Sequence, residues 1–358
     1  MPITGNKGEW SEIYTLFKIL ADKSLQPGNE YLESISATRY PVIKVIRTES
    51  NAVITYSIQQ DTVSIASNGR ELLRTPVAEF AVQAQSLLQT IKTNQRTFAA
   101  PATEAFMQSI YCNSLKASSS AKTDISVVVY DEKTQQTPTL GFSIKSQLGS
   151  PSTLLNAGRS TNFIFKVSSA IHPHMAEINA IASRSKIKDR IKKIQEYGGT
   201  FEFISTEQSI FANNLMLIDS ALPQILAAII FKFFSSDLSK MPDLVAAITK
   251  TNPIHYDTSS NHPFYSYKIK RLLTDIALGL MPASVWDGHY DVTGGFLIVK
   301  EGGEILCYHL YDRNEFENYL LANTKLDTAS SSRHDFGSLY VENSELFFKL
   351  NLQIRFLK

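Results

Sequence analysis

A mixed α/β fold is what the sequence predicts, on two alternating rhythms and a generous apolar content. Stretches with apolar side chains at every second residue alternate with stretches in which they return every three to four. The chain has 358 residues, 43% of them hydrophobic, enough to bury a sizeable core in one large domain or two. The formal net charge is +1, so no global excess of charge announces a polyanionic partner, and any such binding has to come from local clusters. Cys112 and Cys307 are the two cysteines, and neither sits in a metal-ligand spacing. With no disulfide framework and no signal peptide, a reducing cytoplasm is the expected home. The most apolar run, Leu215 to Phe234, is interrupted by Asp219, Pro223 and Lys232, so it reads as a buried helix and no membrane is expected.

The elements follow in order. Lys7 opens a helix in which Trp10, Ile13, Leu16, Phe17 and Leu20 keep the helical period. Short strands are expected near 41–47, 52–58 and 62–66, then helices over about 77–93 and 102–115. Strands at 123–130, 139–145 and 162–167 come next. A long helix over about 175–197 stops at Gly198-Gly199, a good cap. It begins after His172-Pro173-His174, which reads as a helix start, not as a metal site, for want of nearby acids or cysteines. A strand at 200–205 precedes helices at 208–235, 240–250 and 262–280. The last part turns to strands at 295–300, 304–311, 336–342 and 345–356, with a helix near 313–323. There are no internal repeats, and the low-complexity tracts are the serine runs at 118–120 and 330–332. The character of the chain shifts near residue 250, where a boundary between 1–250 and 251–358 is expected.

The strands at 123–130 and 139–145 carry the chemistry. Paired as an antiparallel hairpin with Tyr130 opposite Thr139, they set Asp124 opposite Lys145. Alternation then gives one face to Ile125, Val127, Val129, Leu140, Phe142 and Ile144. The other face takes Asp124, Ser126, Gly141, Ser143, Lys145 and Gln147. A carboxylate and a lysine at one level suit a metal-dependent phosphodiesterase, with an acidic ligand for a divalent cation and an ammonium beside the attacking water. An ordinary surface hairpin with a cross-strand ion pair fits the same pattern.

Two further stretches bear on the choice. At about 100° per residue, Glu9 falls inside the apolar arc of the first helix and Glu12 at its edge. A buried acid needs a partner, and a metal ion would serve; alternatively both acids simply favour the helix macrodipole from the first turn. After Lys145, the stretch from Ser146 to Arg159 is rich in small polar residues and includes Asn156, with Asn162 just beyond. Its hydroxyls, amides and arginine suit phosphate oxygens, although a solvated loop would look the same.

The order helix-acid, strand-Asp, strand-x-Lys resembles the PD-(D/E)xK nuclease superfamily, and Lys7-Gly8 with Glu12 is similar to the opening helix of its archaeal Holliday-junction resolvases. Longer strings resemble the HpaII family of type II restriction endonucleases: Lys7-Gly8-Glu9-Trp10-Ser11-Glu12-Ile13-Tyr14, Gly141-Phe142-Ser143-Ile144-Lys145-Ser146-Gln147-Leu148-Gly149 and Lys349-Leu350-Asn351-Leu352-Gln353-Ile354-Arg355-Phe356. They stand at the start, middle and end, so the resemblance spans the chain. It implies a mixed sheet flanked by helices and magnesium-dependent cleavage of double-stranded DNA at the palindrome CCGG. It also implies that Asp124 is the metal ligand and Lys145 the lysine that positions water and steadies charge on the phosphate. Residues 1–250 would then be catalytic and 251–358 target-reading, unless both belong to one integrated domain.

The departure from the superfamily is Ser143, where an acid usually stands two residues before the lysine. Glu9 or Glu12 is then the candidate second carboxylate and Gln147 a neutral helper. The same departure admits a second class of function, a sequence-specific DNA-binding module without hydrolysis. A structure-specific nuclease is a third. The two-fold symmetry of a palindrome points to a homodimer, with monomers that nick one strand at a time as the alternative.

Guanines in CCGG call for arginine, glutamine or asparagine readers. The candidates are Arg333 and His334 after the second serine run, and Lys349, Asn351, Gln353 and Arg355 on the polar side of the last strand, with Arg159 near the scissile phosphate. The basic helix carrying Arg184, Lys186, Lys188, Arg190, Lys192 and Lys193 reads first as a solvated face. A second Asp-then-Lys pattern, Asp291 and Lys300, reads as structural, since a two-residue turn at Gly294-Gly295 sets Asp291 against Ile298.

Overall fold

Alternating apolar residues at 125–129 and 139–146 form the expected hairpin, and it lies at the centre of a nine-stranded sheet among the described residues. The computed structural model describes residues 2–35, 39–49, 52–116, 123–132 and 135–358, so the serine run at 118–120 lies outside it. Two compact units emerge, Met1–Ser152 with Tyr290–Tyr319 and Lys358, and Thr153–His289 with Leu320–Leu357.

In the first unit the strands run in the order Ser24–Pro27, Ile305–His309, Gly295–Val299, Thr139–Ser146, Ile125–Val129, Tyr40–Glu49, Ala52–Gln59, Thr62–Ser67, Arg70–Pro76. We label three adjoining inner strands β1 (Ile125–Val129), β2 (Thr139–Ser146) and β3 (Gly295–Val299). β3 runs parallel to β2, and all five of its residues are buried, as an inner strand covered on both faces requires. The late segment thus completes the early sheet, because β2 would otherwise expose an unpaired edge. The compact units accordingly part at residues 152, 289 and 319, not near 250.

The register differs from expectation by two residues. Ile125 pairs with Phe142 and Val128 with Thr139, and the Asp124 N–H donates to Phe142 O at 2.9 Å. Asp124 therefore stands opposite Ser143, not Lys145. Pro138 has no N–H with which to extend the ladder, and the Tyr130 N–H turns instead to Pro41 O at 2.8 Å. A slip of two leaves every side chain on its expected face. Ile125, Val127, Val129, Leu140 and Phe142 join the core, with Ile144 packed against it.

That apolar face is covered by helix α1 (Lys7–Asp22), which buries Trp10, Ile13, Leu16, Phe17 and Leu20. Phe17 meets Phe80 and Phe106 edge-on at 6.2 and 5.2 Å, so the helices Val77–Thr93 and Pro101–Ser109 lock onto α1. The strand Arg70–Pro76 escaped the sequence reading because its residues are mostly exposed and polar.

The second unit holds a four-stranded sheet in the order Phe201–Thr206, Asn162–Val167, Glu345–Asn351, Leu339–Glu342. The strand expected at 345–356 breaks at Leu352, and its end, Ile354–Phe356, joins Thr153–Leu155 and Thr324–Leu326 in a separate sheet. The helix expected at 175–197 is two, Met175–Ala180 and α2 (Lys186–Glu196), because the buried Arg190 guanidinium collects Asn179 O and Ile181 O at the break. His172 and His174 lie in the 3-10 turn that leads into the first of them. Lys188 and Lys193 of α2 are paired with Asp237 and Glu177, as a solvated structural face predicts. The helix expected at 208–235 bends by 110° between Ser209–Ile218 and Leu222–Phe234, where Asp219 Oδ1 caps the Ala221 N–H. Among the described residues no single helix is long and apolar enough to cross a membrane, and that bent pair passes by length and composition only.

Gly294 and Gly295 do not turn a hairpin. They feed β3 between its neighbours, and Gly295 takes φ +113° with its would-be β-carbon 2.0 Å from Tyr308 O. Gly295→Ala should therefore lower the unfolding free energy by about 3 kcal/mol, measured by urea titration.

Candidate active site

Local sequence fixes the first wall of the site. Asn6 caps α1, its side chain accepting from the Glu9 N–H at 3.1 Å, while Glu9 Oε2 accepts from the Asn6 N–H at 2.8 Å. This capping box leaves no ambiguity about where the helix starts. One turn in, Ser11 Oγ and Ser146 Oγ lie 2.8 Å apart, which pins the start of α1 to the end of β2. Glu12, on that pinned turn, is thereby held beside the strand pair.

The strand pair supplies the centre. Asp124 Oδ2 accepts from the Ile144 N–H at 2.7 Å and from Ser143 Oγ at 3.0 Å. Ser143 Oγ in turn accepts from Lys145 Nζ at 2.7 Å. Ser143 is buried, and its hydroxyl thus bridges the carboxylate and the lysine that the register slip has separated. Lys145 Nζ also lies 5.2 Å from the centre of the Phe296 ring. Crowding by protein around the ammonium lowers its pKa, against the opposing pull of Asp124 and Glu12.

The two acids of α1 differ. Glu9 is held by the Asn6 N–H and by Lys116 at 3.2 Å, and its pKa is lowered, chiefly by the backbone bond. Glu12 makes no hydrogen bond among the described residues. Its pKa is pushed up to about 8, first by burial and then by the Asp124 charge, with Lys116 and Arg47 pulling the other way. Glu9 therefore serves the helix, and Glu12 is the acid turned to Asp124.

Asp124, Lys145, Glu9 and Glu12 line one cavity of about 890 Å³. Its walls are Ser146 and Leu148–Ser152, and Lys7, Arg96, Lys116 and Lys358 stand around it. Sequence reasoning missed these four as site residues. Only Lys7 lay in a recognised string, and the other three carry no local motif.

Among the described residues no cluster of three or more His, Cys, Asp or Glu forms a complete metal cage. The donors at hand are two carboxylates that repel each other, with Asp124 Oδ1 left over once Oδ2 has accepted its two bonds. That set fits a hard divalent cation that keeps several waters, and such an ion would offset both the burial and the Asp124 charge that raise the Glu12 pKa.

Two comparisons bear on this geometry. Residues 6–356 match the model of the HpaII restriction endonuclease family. The chain is also 47% identical over 357 residues, 99% of either protein, to the type II restriction enzyme HpaII of Haemophilus parainfluenzae. The chain belongs to the HpaII restriction endonuclease family. It is a site-specific deoxyribonuclease of the restriction type, a class that is generally metal-dependent and that binds DNA at a recognition site. No solved structure matches.

As an HpaII-family member the chain needs base readers, and its candidates lie in the second unit. Arg333, Asn156 and Arg159 are exposed, and His334 and Gln353 partly so. Arg355 is paired with Asp327 at 3.1 Å. Lys349 is held by Glu207 at 3.0 Å and Asp335 at 3.6 Å.

Asn162 and Asn351 are not available to bases. Both are buried and face each other across paired strands. Asn162 Nδ2 donates to Glu207 and His334 O, while Asn351 Nδ2 reaches Gly158 O at 2.8 Å and Asn162 Oδ1 at 2.7 Å. At Asn351 the strand side that alternates with the leucines is covered, although Glu345 at its other end is exposed. Gln147 likewise does not line the cavity; its N–H continues the β2–β3 ladder to Val299 O at 2.8 Å.

Two outcomes are expected. Asn351→Ala should lower the unfolding free energy by roughly 1–3 kcal/mol in urea titration, yet leave base preference unchanged on duplexes altered one base pair at a time. The folded protein holds the Glu12 proton up to about 8, whereas the unfolded chain releases it near 4.5, so Glu12 lowers stability as pH rises between those values. In EDTA, Glu12→Gln should raise the melting temperature more at pH 9 than at pH 5.

Proposed function

We propose that the chain hydrolyses both strands of duplex DNA at the palindrome CCGG with Mg2+ as cofactor. Asp124 and Glu12 are the ligands in this reading, and Lys145 meets the scissile phosphate. The observation that carries it is the hydrogen-bonded run Lys145–Ser143–Asp124, whose two charged ends line the same cavity as Glu12. CCGG is supported by kinship with the HpaII family. A homodimer matches the two-fold symmetry of the site. The first unit, which holds the carboxylates, is the catalytic part, and the second unit, with Arg333, His334, Gln353 and Arg355, reads the target. Asn156 and Arg159 suit backbone phosphates. A reducing cytoplasm suits the buried free thiols Cys112 and Cys307.

When bound, the ion supplies Lewis acidity and lowers the pKa of an attacking water. The protein does the rest. Asp124 is aimed by two donors on one oxygen, so it offers the other without rotating. Ser143 stands where the superfamily usually has an acid. A hydroxyl there fixes both Asp124 and Lys145 without adding negative charge beside Glu12. Lys145, its proton loosened by desolvation, holds a cation against a non-bridging phosphate oxygen where charge develops. The cationic rim of the cavity offsets the repulsion between the carboxylates and an incoming phosphodiester.

The decisive experiment is digestion of a fully sequenced plasmid by the purified chain, with Mg2+ or with EDTA. Cuts confined to CCGG and lost in EDTA are expected. Intact plasmid under both conditions, from folded protein, overturns the reading. Asp124→Ala and Lys145→Ala should each lower the single-turnover rate at least about 100-fold while duplex binding in EDTA persists. Ser143→Ala should also slow cleavage, and Ser143→Thr, which keeps the hydroxyl, should restore it in part.

A further inference from the structure

We propose that Lys116 is a second substrate lysine of this site, one that grips a DNA phosphate next to the scissile one. The inference rests on the nuclease reading of the cavity and names a residue that no motif marks. Lys116 lines the cavity together with Asp124, Glu12 and Lys145. Lys145 is half-buried and its ammonium is held inward by Ser143 Oγ at 2.7 Å, whereas the Lys116 side chain is 61% exposed, so Lys145 is the inner cation of the cavity and Lys116 the outer.

An exposed lysine paired with a glutamate is ordinarily a surface ion pair contributing almost nothing. Lys116 is set apart by what holds its backbone. Arg47 and Glu49, neighbours on the strand Tyr40–Glu49, form an ion pair whose side chains are buried in the first unit. Burying such a pair is costly unless its remaining valences are used. They are used on the segment just before Lys116. Arg47 Nη2 donates to Ser114 O, and Ser114 Oγ lies 2.8 Å from Glu49 Oε2 and 2.7 Å from Lys116 O. A buried charged clamp thus fixes the main chain at the root of a solvent-reaching lysine. Such pre-organisation is expected of a group that must meet a ligand in one place.

The present partner of Lys116 can be released cheaply. Glu9 meets Lys116 through Oε1, while its Oε2 keeps the Asn6 N–H at 2.8 Å. If the ammonium moves to a phosphate oxygen, Glu9 stays satisfied by the helix end and no charge is stranded. The exchange replaces one anion by another at a position already built.

The test uses the intact protein and a CCGG duplex. Binding is measured over a range of NaCl in EDTA, and single-turnover cleavage in Mg2+, for wild type, Lys116→Ala and Lys116→Arg. A phosphate contact accounts for about 0.9 of the slope of log Kd against log salt. Lys116→Ala should lose that much slope, weaken binding roughly tenfold on cognate and non-cognate duplex alike, and slow cleavage; Lys116→Arg should keep the slope. Ser114→Ala should slow cleavage in the wild type and add nothing on top of Lys116→Ala, which separates positioning from general loss of stability. An unchanged slope and rate in Lys116→Ala overturns the inference. A wild type that binds without cutting refutes the nuclease reading instead, and the slope still decides whether Lys116 touches phosphate.

Discussion

One half-buried carboxylate sets the terms for its surroundings. Asp124 stands at the head of a central strand, and an ionised acid there is tolerable only if its oxygens are satisfied. The Ile144 N–H and the Ser143 hydroxyl of the adjoining strand satisfy one of them. The same hydroxyl holds Lys145, and the end of that strand is tied through Ser146 to Ser11 on α1. Satisfying Asp124 therefore also places the lysine, and the tie through Ser146 brings Glu12 alongside. Burial first, and then the Asp124 charge, push the Glu12 pKa up against the pull of Lys116 and Arg47.

Sequence alternation was a sure guide to faces and a poor one to partners. Because side chains alternate with period two, any even slip keeps Asp124, Ser143 and Lys145 on one side, so the site survived a register error that misplaced its cross-strand pair. Pro138 carried the missing information, since a residue without an N–H cannot continue a ladder. Helix periodicity likewise located α1 and its acids but could not choose between Glu9 and Glu12. The structure distinguishes them at Asn6, whose capping box engages Glu9 and not Glu12. The pairing of β3 with β2 was illegible, because 148 residues separate Ser146 from Gly295 and no local pattern records such a pairing.

The second unit shows the opposite failure. Lys349, Asn351, Gln353 and Arg355 alternate with apolar residues as an exposed strand would, yet Asn351 and Asn162 lie in the interior and join Gly158, Glu207 and His334 by hydrogen bonds. Polarity alone does not report exposure when polar groups find one another inside. Arg190 repeats the lesson on α2, where a run of cations looked like a solvated face and one member proved to be a buried clamp on carbonyls. Lys116 is the reverse, a solvent-reaching lysine that nothing local marks, held by a buried pair far upstream in sequence.

Asp124 and Glu12 are proposed to share one cation. Crystals of the chain with a CCGG duplex, soaked in Mn2+ and measured at the manganese edge, would show it directly. An anomalous peak bounded by Asp124 Oδ1 and the Glu12 carboxylate is the predicted result. A peak held by other residues, with Glu12 turned away from the ion, would contradict it.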